Sequence, residues 1–304
     1  MRLFHTPQLK IHTDQSRTFS DYTLYFLSGL PPWLIAPKAY AAREAIGAQF
    51  EKYFANNGDA VGGSLIQART KVLREYGISD RDIARYEVVN GFGILLNLLP
   101  TAFWTIYHVF SDFDLLQAVR DEAAQAGLSE CEGAFPGSIE ELEKLDRLPL
   151  TISVLKEALR VHASGASARM VMEDHMLDGK YLLKKDAFMM IPNKAASFDR
   201  SAWGETAQTF VADRFLKSTG EQRHHAAFRG FGGGVNACPG KGFSIKLITA
   251  VVASLALRYD VDVVGGRERW EDPGHDESSI AIVLARPARK MYVRFVLRRE
   301  VDVE

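Results

Sequence analysis

Cysteine is scarce: Cys131 and Cys238 alone in 304 residues exclude a disulfide framework and fit a reducing compartment. An excess of either charge is lacking too. Its 37 Lys and Arg stand against 38 Asp and Glu, for a net charge of -1 and no electrostatic footprint for nucleic acid. The sequence has no zinc-type cysteine spacing, phosphate-binding loop, dinucleotide fingerprint or internal repeat. The histidines are scattered, and the one adjacent pair, His224-His225, lies in a polar stretch that argues against metal binding. The opening "MRLFHTPQLK" has neither a long apolar leader nor a membrane span, so no anchor is expected there. A hydrophobic share of 47% with 25% charge describes an ordinary globular interior, enough for one large domain or two smaller ones.

One apolar run stands out. No charged residue occurs from Val88 to Ser111, a length sufficient to cross a bilayer. Asn97, Pro100, Thr101, Thr105 and His108 argue against that, because each polar group would need a partner in lipid. The run predicts a long helix buried in a large core, with its charged continuation after Ser111 emerging into solvent. Pro100 removes an N–H inside the helix and frees a carbonyl. Upstream, a Pro-broken loop leads into a helix expected over 37–54. The order after Pro149 predicts a helix, short strands, an extended meander, a cysteine loop, a helix and a final hairpin. Alternation at Ile280, Ile282 and Leu284, then at Met291, Val293, Phe295 and Leu297, supplies that hairpin. The expected fold class is mainly α with small β elements.

Chemistry concentrates in Phe231 to Gly240, "FGGGVNACPG". Three consecutive glycines let the backbone approach a flat object closely. The apolar face of the following segment predicts a helix, with Pro239 suited to its first position. Cys238 would then stand where a helix N-terminus favours negative charge. A thiolate in a tight glycine loop is one way to ligate a haem iron. Elsewhere, Glu157 and Arg160 are spaced to share one helix face, either as a weak surface ion pair or as part of a buried cluster.

The spacing of Phe231, Gly234, Cys238 and Gly240 resembles the haem-thiolate signature of the cytochrome P-450 family. Glu157-x-x-Arg160 and the "FVADRF" segment carrying Arg214 resemble two further family motifs, in the family's order. The family's Pro-Glu pair before that arginine is replaced by Ala212 and Asp213. This resemblance implies Cys238 as the metal ligand of haem b, held in the loop of Phe231, Gly234 and Gly240. It implies a structural triad of Glu157, Arg160 and Arg214. Asn236 stands where many members carry a basic residue for a haem propionate, and Arg169 is the other candidate for that charge. "NLLPTAFW" lacks the common acid-alcohol pair and resembles the branch with prostacyclin synthase and the sterol 7α- and 12α-hydroxylases, including fungal members. There Asn97 would be the distal polar residue, with Thr101 the alternative.

The resemblance covers nearly all of 1–304 as a single domain corresponding to the family's C-terminal portion, an N-terminally truncated fold. It places lid-side helices at 37–90, a central distal helix at 88–126 and the ligand-bearing part at 150–304. The implied activity is monooxygenation of an apolar small molecule such as a steroid, terpenoid or polyketide in secondary metabolism. A separate flavoprotein reductase would supply electrons, with no nucleic-acid partner. An inactive haem-protein fragment and an isomerase of a peroxide substrate are the alternatives. Family members usually sit on the cytoplasmic side of the endoplasmic reticulum membrane.

Overall fold

The computed structural model describes residues 22, 26, 30–128, 143–216, 226–264, 270–276 and 283–298. Cys131, the His224-His225 pair, Ile280 and Ile282 lie outside them. The chain forms two compact units, 1–97 and 98–304, whose boundary falls inside the central helix.

In the first unit, α1 (Pro37–Ala55) opens on Pro37, whose fixed φ and missing N–H suit the first helical turn. It is followed by α2 (Ser64–Glu75) and the first part of α3 (Asp80–Ser111). Small residues on α1, Ala39 and Ala42, pack with Ile46 against Val88 of α3. Phe54, Ile83 and Ala84 form a second buried cluster. A bidentate pair ties α2 to α3, with Arg69 Nε and Nη2 donating to Glu87 at 2.8 and 2.6 Å.

In the second unit, α3 continues past Pro100 to Ser111. It is long and apolar enough to cross a membrane; Trp104, Thr105 and Val109 are wholly buried, but only 28% of its most apolar stretch is, and Val89, Ile94, Leu95 and Leu99 are exposed where the sequence predicted burial. After Ser111 the chain departs from the expected solvent-directed continuation. The Asp112 carboxylate accepts the Leu115 N–H at 3.0 Å and starts a separate helix, α4 (Phe113–Gln125). Leu115, Leu116, Val119 and Ala123 are buried, so this helix belongs to the core.

Two charges on α4 position its neighbours. Glu122 accepts the otherwise unpaired N–H groups of Leu150 (2.5 Å) and Thr151 (2.9 Å) in the first turn of α5 (Pro149–Val161). Arg120 donates to the carbonyls of Ala256 (2.8 Å) and Tyr259 (2.9 Å) at the C-terminal end of α6 (Lys241–Arg258). The faces between these helices carry Leu116, Val119, Val154, Leu155, Ile248 and Val252.

The β elements are two-stranded and antiparallel. Strand β1 (Ala166–Met170), the hairpin β2 (His175–Leu177) and β3 (Tyr181–Leu183), and β4 (Phe188–Pro192) come in order, with β1 pairing β4. Strand β5 (Tyr259–Val263) leaves α6 directly. Two-residue strands β6 (His275–Asp276) and β7 (Arg286–Pro287) pair with each other. The alternating segment β8 (Val293–Leu297) pairs with β5, Val261 opposite Phe295, and the first strand expected for the final hairpin lies mostly outside the described residues. Leu284 bridges Ala163.

The buried His162 and the half-buried His108 adjoin this core. Burial lowers His108 to about 4 from an ordinary 6.5, with the Asp272 carboxylate acting the other way. Burial, then the His108 and His275 rings, drive His162 down to about 2. Both are neutral when folded, and unfolding restores their proton affinity. The unfolded chain therefore binds more protons below about pH 6.5, and stability falls as pH drops toward 4. The thermal midpoint should be several degrees lower at about pH 5 than at about pH 7. A double variant, His108→Phe with His162→Phe, should flatten that dependence; an equally steep variant would exclude these groups as its cause.

Candidate functional site

Glu157 and Arg160 leave one face of α5 and are completely buried. Glu157 Oε2 accepts from Arg160 Nε at 2.8 Å, and Oε1 accepts from Arg160 Nη2 at 2.7 Å. Arg214 Nε donates to the same Oε1 at 2.9 Å, and the Val211 N–H does so at 3.0 Å. One carboxylate therefore faces two guanidinium groups. The excess positive charge meets carbonyl dipoles: Arg160 donates to Ser197 (2.7 Å), Ala207 and Thr209 (2.9 Å), and Arg214 to Thr206 (2.8 Å). The Arg160 guanidinium also lies 5.1 Å from the Trp203 ring centre. These bonds bind α5 to the extended segment 197–214, which leads toward the cysteine loop. Nothing reactive is presented by this assembly; its contribution is position.

The cysteine loop is held by its own backbone. Gly232 and Gly234 take φ values of +71° and +65°, a region costly for side chains with a Cβ. Residues Gly234–Asn236 make one tight turn, and the Cys238 N–H returns to the Phe231 carbonyl at 2.9 Å. Gly240 caps α6, so the helix begins at Lys241 and Pro239 lies ahead of it, two residues earlier than a first-turn proline. The cause is local: the Lys241 N–H bonds the Cys238 carbonyl at 3.3 Å, a turn that delays the helix. The thiol of Cys238 is exposed.

The surroundings suit a flat apolar group bearing a soft metal. Val235 is wholly exposed and Phe243 is 59% exposed. A Cβ on Gly234 would meet nothing within 4 Å, and one on Gly240 would lie 3.7 Å from the Cys238 sulfur, so a larger side chain there would crowd it. Haem iron bound through sulfur fits this donor and this glycine cradle.

The other candidates are dispersed. Arg169 lies on β1, exposed, with Nη1 donating to the Ala168 carbonyl at 2.7 Å. Asn236 is exposed in the loop itself. Asn97 belongs to the first unit, where its amide donates to the Gly93 carbonyl at 3.3 Å. Thr101 is buried in the second unit, and its carbonyl accepts the Thr105 hydroxyl at 2.7 Å.

One residue escaped the sequence reading. Arg229, just before the glycines, has a buried Nε with no hydrogen-bond partner among the described residues. Its Nη1 comes within 2.6 Å of where a Gly233 Cβ would stand. A cation adjoining the glycine run was the available signal. The first unit separately holds an apolar cavity of about 350 Å³ lined by Phe50, Tyr53, Val88, Phe92 and Leu95 among others.

Residues 97–292 match the cytochrome P-450 family model. The chain is 30% identical to the cytochrome P-450 monooxygenase nodJ of Hypoxylon pulicicidum over 92% of this chain and 56% of that protein. It is 28% identical to the cytochrome P-450 monooxygenase calL of Penicillium decumbens, over 88% of this chain and 54% of the relative. A human 7-alpha-hydroxycholest-4-en-3-one 12-alpha-hydroxylase is 27% identical over 66% of this chain and 42% of its own length. The chain thus spans about half the length of these relatives.

Proposed function

Because the chain belongs to the cytochrome P-450 family, we propose that it is a haem-thiolate monooxygenase acting on an apolar small molecule, supplied with electrons by a separate flavoprotein reductase. The observation that carries this reading is the exposed Cys238 thiol, held by the Phe231 carbonyl bond and flanked by glycines. When bound, haem b supplies dioxygen activation, one oxygen atom entering a C–H bond and the other leaving as water.

The chain's own residues would do the rest. Cys238 would hold the haem iron through its sulfur, as the thiolate. Arg229, Arg169 and Asn236 are the donors available to the two carboxylates of the cofactor. Arg229 leads because its buried Nε lacks a partner among the described residues, the condition that an incoming anion would relieve. Asn97 would orient water or substrate through its amide, with the Thr101 hydroxyl as the alternative. The buried triad keeps α5 and the segment before the loop in register, a positioning role.

The substrate class proposed is a steroid, terpenoid or polyketide-like molecule. A sterol-derived substrate in the name of the human relative, and the fungal monooxygenases, favour the same class within secondary metabolism. The cytoplasmic face of the endoplasmic reticulum would be its place of work. The test is turnover by the haem-loaded chain with a reductase and reduced nicotinamide cofactor across a panel of sterols and terpenoids. Oxygenated product is expected; binding of haem without turnover of any member, or conversion of an organic peroxide alone, would defeat the monooxygenase reading. Asn97→Ala should lower coupled turnover by roughly a hundredfold, the lower range for a positioned proton donor. Unchanged coupling there, with loss in Thr101→Ala, would transfer the role to Thr101.

A further inference from the structure

His275, His162 and His108 form an unbroken chain of imidazoles in the second unit. His275 Nε2 lies 2.7 Å from His162 Nδ1, and His162 Nε2 lies 2.8 Å from His108 Nε2. Packing fixes the two inner rings. Trp104 stacks on His162 with centres 3.6 Å apart, and Phe210 stacks on His108 at 3.7 Å. His275 is exposed, His162 is buried, and all three border a cavity of about 350 Å³.

These separations decide what is shared. Two nitrogens on one tetrahedral zinc, each bonded at about 2.0–2.1 Å, would stand roughly 3.3 Å apart. The observed contacts are shorter and suit a single hydrogen between each pair. Among the described residues no cluster is arranged to hold a metal ion.

A neutral imidazole carries one N–H and one lone pair. With one hydrogen per contact, only two arrangements of the neutral chain are consistent. In the first, His275 donates to His162, His162 donates to His108, and His108 keeps its hydrogen on Nδ1. In the second, every donor is reversed and His108 Nδ1 is bare. Any mixture sets two hydrogens or two lone pairs face to face.

We propose that His275, His162 and His108 are a proton relay that runs from the exposed His275 through the buried His162 to His108. A proton from solvent binds Nδ1 of His275. The hydrogen on His275 Nε2 passes to His162 Nδ1, and that on His162 Nε2 passes to His108 Nε2. His108 then releases its Nδ1 proton. One proton enters, one leaves, and the chain changes from the first arrangement to the second. A charged His275 carries hydrogen on both nitrogens, so its resting partner is the first arrangement alone.

The Asp272 carboxylate acts on His108 and favours a hydrogen on that ring. Tyr107 and Lys194 share the cavity wall, while Asp276 beside His275 is paired with Arg286 at 3.4 Å. Burial disfavours a charge on His108 and His162.

Imidazole nitrogen resonances of the full chain, labelled with nitrogen-15 at histidine, test the relay from about pH 8 to about pH 5, the span in which free imidazole changes charge. As His275 gains its proton, the hydrogens of His162 and His108 should move to Nε2 and Nδ1 respectively, with the same midpoint and with both rings still neutral. His275→Ala, at an exposed position, should abolish those linked shifts. His162→Phe, which keeps a flat ring against Trp104, should isolate His108 from His275. Unlinked behaviour in the native chain, persistence of the shifts in His275→Ala, or a charge appearing on the inner rings together with His275 would each overturn the proposal. None of these readouts depends on bound haem, so the result stands apart from the monooxygenase reading.

Discussion

Glu157→Ala should cost the fold about 3–5 kcal/mol, the range seen when one partner of a buried ion pair is removed. The alanine would leave Arg160 and Arg214 charged and buried, with the Glu157 oxygens no longer receiving four hydrogen bonds from the two guanidinium groups and the Val211 N–H. The carbonyls of Ser197, Thr206 and Thr209 can hold the remaining donors but cannot neutralise two charges. Domains of ordinary stability have only about 5–15 kcal/mol to lose. The urea midpoint of Glu157→Ala should therefore fall sharply, whereas Glu157→Gln should retain part of the hydrogen bonding and lose less. A loss below about 1 kcal/mol for the alanine variant would be that of an exposed pair and would contradict the burial argument.

Cys238→Ala should behave in the opposite way. The side chain is exposed and fills no core space, so its removal should change stability by no more than about 0.5 kcal/mol. Iron ligation through sulfur should disappear completely, since Cys131 lies far along the chain in another segment and the loop offers no second thiol. The native unfolding curve together with the loss of sulfur-to-iron ligation is the expected pairing. Loss of folding alongside loss of haem would mean that Cys238 acts as a structural residue.

These two variants also mark what the sequence made visible. The i,i+3 spacing of Glu157 and Arg160 is local, as is the cluster of glycines before Cys238, and both carry their geometry in a few residues. Pro37 gave the start of α1, and the helix runs one residue beyond the expected end. Where partners are distant, pattern gave no warning. His162 is 54 residues from His108 and 113 from His275, so their chain exists only once the fold is formed. The pairing of β8 with β5 depends likewise on where α6 delivers Tyr259. At Asp112 the signal was present but was outweighed: an acidic residue after an apolar run reads as exit to solvent, and equally as a helix cap. The Leu115 N–H bond shows which effect prevailed. Asn97 illustrates the converse, a polar residue whose amide is bonded within its own helix.

The most direct measurement is the carbon-monoxide difference spectrum of the reduced, haem-supplied chain, recorded beside Cys238→Ala. The account predicts the red-shifted Soret band of thiolate-ligated haem in the native chain and its absence in the variant. A native chain that takes up haem without that band, or a variant that keeps it, would contradict Cys238 as the iron ligand.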